Sequence, residues 1–293
     1  MTRNYFIFGS QGFIGKNLIH LLIKKNISIF SLGKKKNFFK NKKVKHIKTD
    51  IYKSKKYLYL LNSNSIVVFL SASKFNNSEF KKFETLVDIL KKKKIKTFLF
   101  VSSASVYGNN TNINSESILR KPINKQGNFF VKLENKIIKS FSNSDTNYVI
   151  LRTFNVFGKF RNKRGMIENF IYKIINDYKT FTASGLNNLR SYITVNDLNR
   201  IIFKLSKYKK NLVINVCNPY YIFSLKYISK KITMIAKKKF DKILIKNNCN
   251  VIQDSVCSPK NLLKMNLIKF SKNFNIEIKK IIKEYKKLKE LTD

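Results

Sequence analysis

Three glycines stand at a spacing that suits a dinucleotide cofactor. The segment Gly9-Ser10-Gln11-Gly12-Phe13-Ile14-Gly15 directly follows a short apolar run and opens a helical pattern. One glycine permits a tight turn, one lets the backbone approach a pyrophosphate, and one lets helix and strand pack closely. Alone, the spacing also fits an ordinary turn, but the strand-loop-helix setting favours a cofactor on the positive helix end. We predict that NAD or NADP contacts Gly9, Gln11, Gly12, Phe13, Ile14 and Gly15.

The end of the second apolar run bears on the choice between NAD and NADP. NAD-binding folds usually offer an acid to the adenosine ribose here, whereas cations accommodate the 2′-phosphate of NADP. The segment reads Leu32-Gly33-Lys34-Lys35-Lys36 and holds no acid. The sequence therefore favours NADP slightly, with Lys34 as a contact, although a lysine cluster in a lysine-rich chain gives the same pattern.

Short apolar runs alternate with helical periods in the first half of the chain, which predicts an α/β fold with a doubly wound parallel Rossmann sheet and helices on both faces. Ile14, Leu18, Leu21 and Leu22 form one apolar helix face. The candidate strands are residues 5–8, 27–32, 44–48, 66–70, 97–101 and 148–151. We predict an NAD(P)-binding domain over residues 1–158. Residues 159–293 then form a smaller, mainly substrate-binding lobe, with a possible return of the chain to the sheet and a lysine-rich amphipathic helix over 276–291.

The composition limits the class of protein. A hydrophobic fraction of 43% with three prolines in 293 residues excludes disorder as the default. The net charge of +44 comes mostly from lysines spread along the chain, which favours a solvated surface over the alternative of an RNA partner. No run of about 18 apolar residues suggests a membrane span, and we expect a cytoplasmic protein. Three cysteines without paired spacing and two histidines make a metal site improbable.

Three longer motifs carry a family resemblance. They are Ser102-Ser103-Ala104-Ser105-Val106-Tyr107-Gly108, the segment Leu151-Arg152-Thr153-Phe154-Asn155-Val156-Phe157-Gly158, and Arg190-Ser191-Tyr192-Ile193-Thr194-Val195-Asn196-Asp197-Leu198. Together with the glycine loop, and in the same order along the chain, they resemble the extended short-chain dehydrogenase/reductases, the nucleotide-sugar epimerase and dehydratase group.

The resemblance implies roles for individual residues. Ser103 takes the catalytic hydroxyl position, which hydrogen-bonds the reacting sugar oxygen, and Ser105 faces the substrate. Asn155 contacts the nucleotide sugar, while Arg190 meets its diphosphate or forms an ion pair with Asp197. Cofactor contacts are implied for Asp50-Ile51 and Leu70-Ser71-Ala72. The family analogy also implies a homodimer.

One departure from the family pattern concerns acid-base catalysis. The family carries Tyr-x-x-x-Lys, in which the tyrosinate moves the hydroxyl proton and the lysine lowers its pKa and holds the nicotinamide ribose. We align this motif with Asn128 and Lys132, so the lysine is kept and the tyrosine is lost. A different register restores no tyrosine, because residues 108–147 contain none. Tyr107, or a water ordered by Asn128 and Ser103, could supply the proton, or the protein could be a binding relative.

Two further departures affect the rim of the site. The stretch from Ser73 to Glu79 is short for the family, and Gln253-Asp254 stands where relatives often supply an arginine for the diphosphate. The sequence therefore predicts an NAD(P)-dependent epimerase, dehydratase or reductase acting by hydride transfer on a UDP-, dTDP-, GDP- or CDP-linked sugar. The alternatives are a catalytically weakened cofactor- or nucleotide-sugar-binding relative and, less favoured, an RNA-binding relative.

Overall fold

The computed structural model describes residues 4–36, 39–52, 56–72, 74–109, 113–159, 161, 165–245 and 254–290. Its strands are β1 (Asn4–Phe8), β2 (Ile29–Gly33), β3 (Val44–Lys48), β4 (Ser65–Phe69), β5 (Thr97–Ser103), β6 (Asn147–Thr153), β7 (Asn155–Phe157), β8 (Thr180–Ala183), β9 (Leu189–Thr194), β10 (Leu212–Val216), β11 (Ile222–Ser224) and β12 (Lys242–Ile245). Its α-helices are α1 (Phe13–Lys24), α2 (Asn77–Lys92), α3 (Lys125–Phe141), α4 (Met166–Ile175), α5 (Val195–Leu205), α6 (Leu225–Ala236), α7 (Lys260–Lys264) and α8 (Phe274–Glu290).

Seven parallel strands form the central sheet, in the order β10-β6-β5-β4-β1-β2-β3. The inner strands are short and apolar because a parallel sheet is covered by helices on both faces, and β4, Ser65-Ile66-Val67-Val68-Phe69, is buried throughout. The reversal of strand order between β1 and β4 is the switch point where open α/β sheets bind ligands at the carboxyl ends of their strands. The predicted Rossmann sheet is confirmed.

Helices cover the two faces of the sheet with separate apolar clusters. One cluster joins α2 and α3 to the sheet and includes Phe83, Phe130 and Ile137, and the other joins α1 and α5 and includes Leu18 and Ile202. Side-chain oxygens cap the N-termini of several helices. At α3, the Asn124 side chain accepts a hydrogen bond from Gly127 N at 2.8 Å. Capping and apolar periodicity therefore fix where the helices beside the cleft begin.

The chain returns to the central sheet after residue 158. β10 pairs with β6, and α5 packs beside α1. Helices α4, α6 and α8 and the small sheets β11-β9-β7 and β12-β8 enclose a third cluster that contains Phe170, Ile228 and Ile278. The predicted boundary at residue 158 stays a prediction.

Two observations on the described residues concern metals and membranes. No group of three or more His, Cys, Asp or Glu side chains in the described ranges is placed to hold a metal ion. No helix in the same ranges is long and apolar enough to cross a membrane. Cys217 and Cys257 are buried free thiols, and Cys249 lies outside the described residues.

Candidate active site

The glycine loop joins β1 to α1 in a tight turn. Gly9 has φ +84°, and a Cβ there would lie 2.9 Å from the Leu70 carbonyl carbon on β4's carboxyl end. A Cβ at Gly15 would lie 2.5 Å from Gly9 O, so the helix packs against the loop only without a side chain. α1 begins with Gly12 as N-cap, with no side-chain cap and no acid in its first turn. These features leave the helix N-terminus to an anionic group such as a pyrophosphate.

The side chain of Gln11, a predicted cofactor contact, is hydrogen-bonded to the loop that follows β2. Its Oε1 accepts from Lys35 N at 3.0 Å, and its Nε2 donates to Lys35 O and Lys36 O at 2.9 and 2.8 Å. A Cβ at Gly33 would lie 2.5 Å from Gln11 Oε1. The Gln11 side chain therefore fixes the loop after β2 and occupies the space that an acidic side chain at position 33 would need.

The predicted adenosine contacts lie beside this loop. Lys34 Nζ forms a salt bridge with Asp50 Oδ2 at 2.8 Å, and Asp50 Oδ1 accepts from Tyr52 N at 3.0 Å. Ile51 is buried, and its carbonyl accepts the Tyr57 hydroxyl at 2.5 Å. The structure brings Lys34 and Asp50 together, and the hydrogen bond to Asp50 raises the pKa of Lys34.

A cavity of about 450 Å³ opens at the carboxyl ends of β1, β4, β5 and β6. It contains predicted residues from separate segments, namely Phe13, Ile14, Leu70, Ala72, Ser103, Ser105, Asn155 and Arg190. Ser71 precedes Ala72 and is half-buried, but it is not part of this wall. The structure therefore assembles the glycine loop and the serine motif around one cleft.

Ser103 ends β5 with its hydroxyl held by Ser105. Its Oγ accepts from Ser105 N at 3.2 Å and from Ser105 Oγ at 3.0 Å. A hydroxyl that accepts from two donors keeps its own hydrogen for a third group. Ser103 can therefore donate to an oxygen of a ligand in the cleft, as the resemblance implies.

Helix α3 presents a different pair of residues to the cleft from the predicted pair. Gln126 and Phe130 line the cavity. Asn128 is exposed with its Nδ2 bonded to Asn124 O at 3.0 Å, and Lys132 Nζ lies 3.4 Å from Asn77 Oδ1 on α2. The structure does not bring Asn128 and Lys132 to the wall of this cavity, and their catalytic role stays a prediction.

Helical periodicity explains why these two residues lie away from the cavity. Each residue turns the helix by about 100°, so a shift of two residues moves a side chain to the opposite face. The buried face of α3 carries Phe130, Glu134, Ile137 and Phe141, while Asn128, Lys132, Asn135 and Lys139 are all exposed. Gln126 and Phe130 therefore occupy the cleft-facing positions one turn apart, and neither is a tyrosine or a lysine.

A buried ionic network locks α3 in this orientation. Glu134 is fully buried, and its carboxylate accepts from Ser102 Oγ at 2.6 Å and from Arg152 Nε and Nη2 at 3.1 and 2.9 Å. Arg120 Nη1 adds a further bond to Glu134 Oε2 at 3.0 Å. Because Ser102 precedes Ser103, the same network ties α3 to the carboxyl end of β5.

Tyr107 is not placed to move a substrate proton. It is buried beneath the cleft, where its hydroxyl donates to Asn215 Oδ1 at 2.7 Å and accepts from Arg152 Nη1 at 2.9 Å. Burial raises the pKa of Tyr107 despite the neighbouring guanidinium. The suggestion that Tyr107 replaces the missing tyrosine therefore finds no support in its position.

A second cavity of about 210 Å³ adjoins the first. The two cavities share Asn155, Val156, Arg161 and Arg190 as lining residues. Asn155 Nδ2 donates to Ser191 O at 3.0 Å, which fixes β7 against β9. Arg190 and Asn155 thus line both cavities, while their substrate contacts stay predictions, and Arg161 is a cavity residue that the sequence analysis missed.

The segment aligned with the missing family arginine lies close to the cleft. Asp254 Oδ1 accepts from Leu189 N at 2.7 Å, next to Arg190 on β9. Ser255 lines the larger cavity, and Gln253, like Ser73, lies outside the described residues. The chain supplies no guanidinium from residues 254–290, since this stretch contains no arginine.

Comparisons with known proteins agree with this arrangement. A model of the NAD dependent epimerase/dehydratase family matches residues 5–217. GDP-6-deoxy-D-talose 4-dehydrogenase of Aggregatibacter actinomycetemcomitans is 27% identical over 233 residues, which cover 75% of this chain and 77% of that protein. ADP-L-glycero-D-manno-heptose-6-epimerase of Brachyspira hyodysenteriae is 28% identical over 221 residues, covering 66% and 68% of the two chains.

Solved structures show the same fold. The UDP-N-acetylglucosamine 4-epimerase from Methanobrevibacter ruminantium M1, in complex with UDP-N-acetylmuramic acid, superposes with a TM-score of 0.88 at 20% identity, covering 99% of both chains. The UDP-glucuronic acid 4-epimerase from Bacillus cereus, in complex with UDP-glucuronic acid and NAD, gives 0.86 at 19% identity, covering 97% of this chain and 99% of the other.

Proposed function

This chain belongs to the NAD dependent epimerase/dehydratase family, and we propose that it is an enzyme that exchanges a hydride between NAD(P) and a carbon of a nucleotide sugar. One observation carries the proposal: two adjoining cavities share Arg161 and Arg190, and the larger also contains Ser103 and the glycine-loop residue Phe13. A nucleotide sugar fits this plan with its base in the smaller cavity, its diphosphate at the arginines and its sugar beside Ser103.

The residues of the first loop fit a dinucleotide. Gly9, Gly12 and Gly15 form a cradle in which added Cβ atoms would meet backbone, and the α1 N-terminus has no competing acid. Phe13 and Ile14 extend the same wall into the larger cavity. We therefore place the pyrophosphate of NAD(P) on this loop, with Leu70 and Ala72 beside it.

We propose that the protein prefers NADP over NAD, and the residues of the loop after β2 support this preference. Gln11 fills the space that an acid at Gly33 would need, and three lysines follow. Lys34 is already paired with Asp50, so Lys35 and Lys36 are the additional cations near the ribose. The ratio of NADP to NAD affinity tests this preference, and we expect Lys35→Gln to lower it by several-fold.

The proton of the reacting hydroxyl requires a separate account. Bound NAD(P) accepts or donates the hydride. When a carbinol carbon is oxidised, its hydroxyl proton must leave, and Ser103 can hydrogen-bond that oxygen while Ser105 holds Ser103 in place. Gln126 and Phe130 cannot accept the proton, so we infer that it passes to water. A positioned acid-base group raises the rate by about 10²- to 10⁴-fold, so turnover is slower by this factor than in an enzyme that has such a group.

A mass-spectrometric turnover assay tests the enzyme proposal. The purified protein is incubated with UDP-, dTDP-, GDP-, ADP- and CDP-linked sugars and with NAD(H) or NADP(H), beside its Ser103→Ala variant. We expect slow conversion of one nucleotide sugar by the wild type and a further loss in the variant. Equal background conversion by both proteins would contradict hydride transfer at this cleft.

A second candidate function has a specific observation in its favour. Because the α3 residues that line the cavity, Gln126 and Phe130, are neither a tyrosine nor a lysine, we consider a protein that binds cofactor and nucleotide sugar without converting them. Equilibrium binding without turnover for every tested pair would favour this function. The homodimer, the cytoplasmic location and the roles of individual side chains stay predictions.

A further inference from the structure

Arg161 occupies the junction between the two cavities. It lines both of them, and its guanidinium carbon lies 5.2 Å from the centre of the Phe13 ring at the start of α1. Its Nε lies 4.0 Å from Glu168 Oε2. The side chain is 31% exposed, so the guanidinium is partly desolvated but open to a ligand.

The surroundings of Arg161 are built around it. The Tyr285 hydroxyl, from α8, donates to the Arg161 carbonyl at 2.9 Å and fixes the backbone. A Cβ at Gly165 would lie 1.9 Å from Glu168 Oε2 and 2.6 Å from Arg161 Nε. Position 165 therefore has no room for a side chain while the Arg161 and Glu168 side chains keep these positions.

Glu168 completes the arrangement as a buried carboxylate. Its Oε1 accepts from Gly158 N at 2.8 Å, whereas its Oε2 makes no hydrogen bond within the described part of the chain. The side chain is only 1% exposed and belongs to the wall of the smaller cavity. A buried carboxylate is costly without a countercharge, and the guanidinium of Arg161 is the cation that faces its second oxygen.

The charges at the junction suit a diphosphate. Arg161 and Arg190 both line the two cavities, so both can contact a group that connects a base in one cavity to a sugar in the other. Guanidinium groups bind phosphate oxygens in a planar, bidentate geometry and stay charged at all physiological pH values. The stretch 254–290, where the resemblance implies a further arginine, contains none.

We propose that Arg161 binds the diphosphate of the nucleotide sugar together with Arg190, and that Glu168 is the positioning residue that holds Arg161 at the junction. This inference rests on the proposed function, because it assumes a nucleoside diphosphate in the two cavities. It adds a substrate contact on the connection between β7 and α4, where neither the motifs nor the resemblance places one.

Calorimetric titration of the whole protein with nucleoside diphosphates tests the arginine. The probes are UDP, GDP, ADP, CDP and dTDP, followed by the monophosphate of the base that binds most tightly. We expect Arg161→Gln to lower the affinity for the tightest-binding diphosphate by about 10- to 100-fold, since hydrogen bonds to charged groups are among the strongest in proteins. The loss should be smaller for the monophosphate. Lys94→Gln is the control, because Lys94 is 72% exposed and its removal changes the net charge equally.

The outcomes separate this inference from the function on which it rests. If no diphosphate binds the wild type at millimolar concentration, the proposed function fails, and this inference fails with it. If a diphosphate binds and Arg161→Gln behaves as Lys94→Gln does, the function stands and the role of Arg161 is overturned.

A double-mutant cycle tests the positioning role of Glu168. Glu168→Gln keeps an oxygen for Gly158 N but removes the charge that faces Arg161. Introduced into the wild type, Glu168→Gln should lower the affinity for the diphosphate by about two- to tenfold. Introduced into the Arg161→Gln variant, it should cause no further loss of affinity. Additive losses would contradict positioning through Arg161, and thermal melting of each variant identifies any that lose the fold.

Discussion

Gln126 and Phe130 lie one helical turn apart on the face of α3 that lines the larger cavity. The family resemblance implies a tyrosine and a lysine at two such positions, and the chain has neither in that place. The lysine that the sequence offers, Lys132, faces Asn77 on α2 instead. The cleft thus keeps the hydroxyl of Ser103 and the cofactor loop while it lacks the implied acid-base pair.

Gly15→Ala tests the cofactor loop. The added methyl group would lie 2.5 Å from Gly9 O, a backbone atom, so the loop must move. We expect the affinity for NAD and NADP to fall by at least about tenfold, as measured by calorimetric titration, because the pyrophosphate cradle depends on this packing. In Gly33→Ala the methyl group would lie 2.5 Å from Gln11 Oε1, a side-chain atom and not a backbone atom, so we expect a smaller loss. Equal losses in the two variants would contradict the assignment of the cradle.

Glu134→Gln tests the network that orients α3. The variant leaves Arg152 buried without its countercharge, and removing one partner of a buried pair typically costs about 3–5 kcal/mol. We expect a loss of this order in the free energy of unfolding measured in urea. Asp88→Asn breaks the half-exposed pair with Lys136 and should cost about 0–1 kcal/mol. A similar small cost for both variants would show that the network does not hold the helix.

Glu168→Gln tests the burial of the carboxylate through pH. Burial raises the pKa of Glu168 even though Arg161 lowers it, so the folded state binds this proton more tightly than the unfolded state does. The protonated Glu168 therefore contributes its full stabilisation below the pKa of the unfolded state, about 4.5. This contribution to the free energy of unfolding is lost as the pH rises through the pKa of the folded state. We expect the melting temperature of the variant, relative to the wild type, to rise between pH 4 and pH 7. A difference that is flat across this range would contradict the raised pKa.

The fold could be predicted from the sequence because its signals are local. The glycine loop follows β1 directly, the candidate strand at 44–48 coincides with β3, and those at 97–101 and 148–151 lie within β5 and β6. Buried parallel strands and a glycine turn depend on short segments, so one sequence is sufficient to recognise them. The serine motif then falls at the cleft because it follows the carboxyl end of β5, whereas Arg190 reaches the cleft from β9 in a separate small sheet.

The orientation of α3 was harder to predict because a charged residue interrupts its apolar face. Phe130, Ile137 and Phe141 follow helical periodicity, but the charged Glu134 lies on the same face and interrupts the apolar pattern. Its partner Arg152 lies on β6, far away in sequence, so only the tertiary structure shows that the carboxylate is buried and paired. Without that pairing, Asn128 and Lys132 offered an equally regular spacing.

A signal for Arg161 was present in the composition. Only seven of the 60 lysines and arginines are arginines, so lysine is by far the more frequent cation of this chain. Arg120 and Arg152 bind the buried Glu134, and Arg200 binds the buried Asp197. Arg161 and Arg190 line the cavities. The described arginines therefore mark places where a guanidinium fork has a specific partner or faces a cavity, which a lysine would serve less well.

The most direct test of the central claim is the turnover of Gln126→Tyr/Phe130→Lys beside the wild type, measured by mass spectrometry with the best nucleotide sugar and its cofactor. If Gln126 and Phe130 occupy the acid-base positions, the double variant should turn over about 10²- to 10⁴-fold faster. Asn128→Tyr, on the exposed face of α3, should change nothing. A gain in Asn128→Tyr with none in the double variant would contradict the orientation of α3 and the account of the cleft built on it.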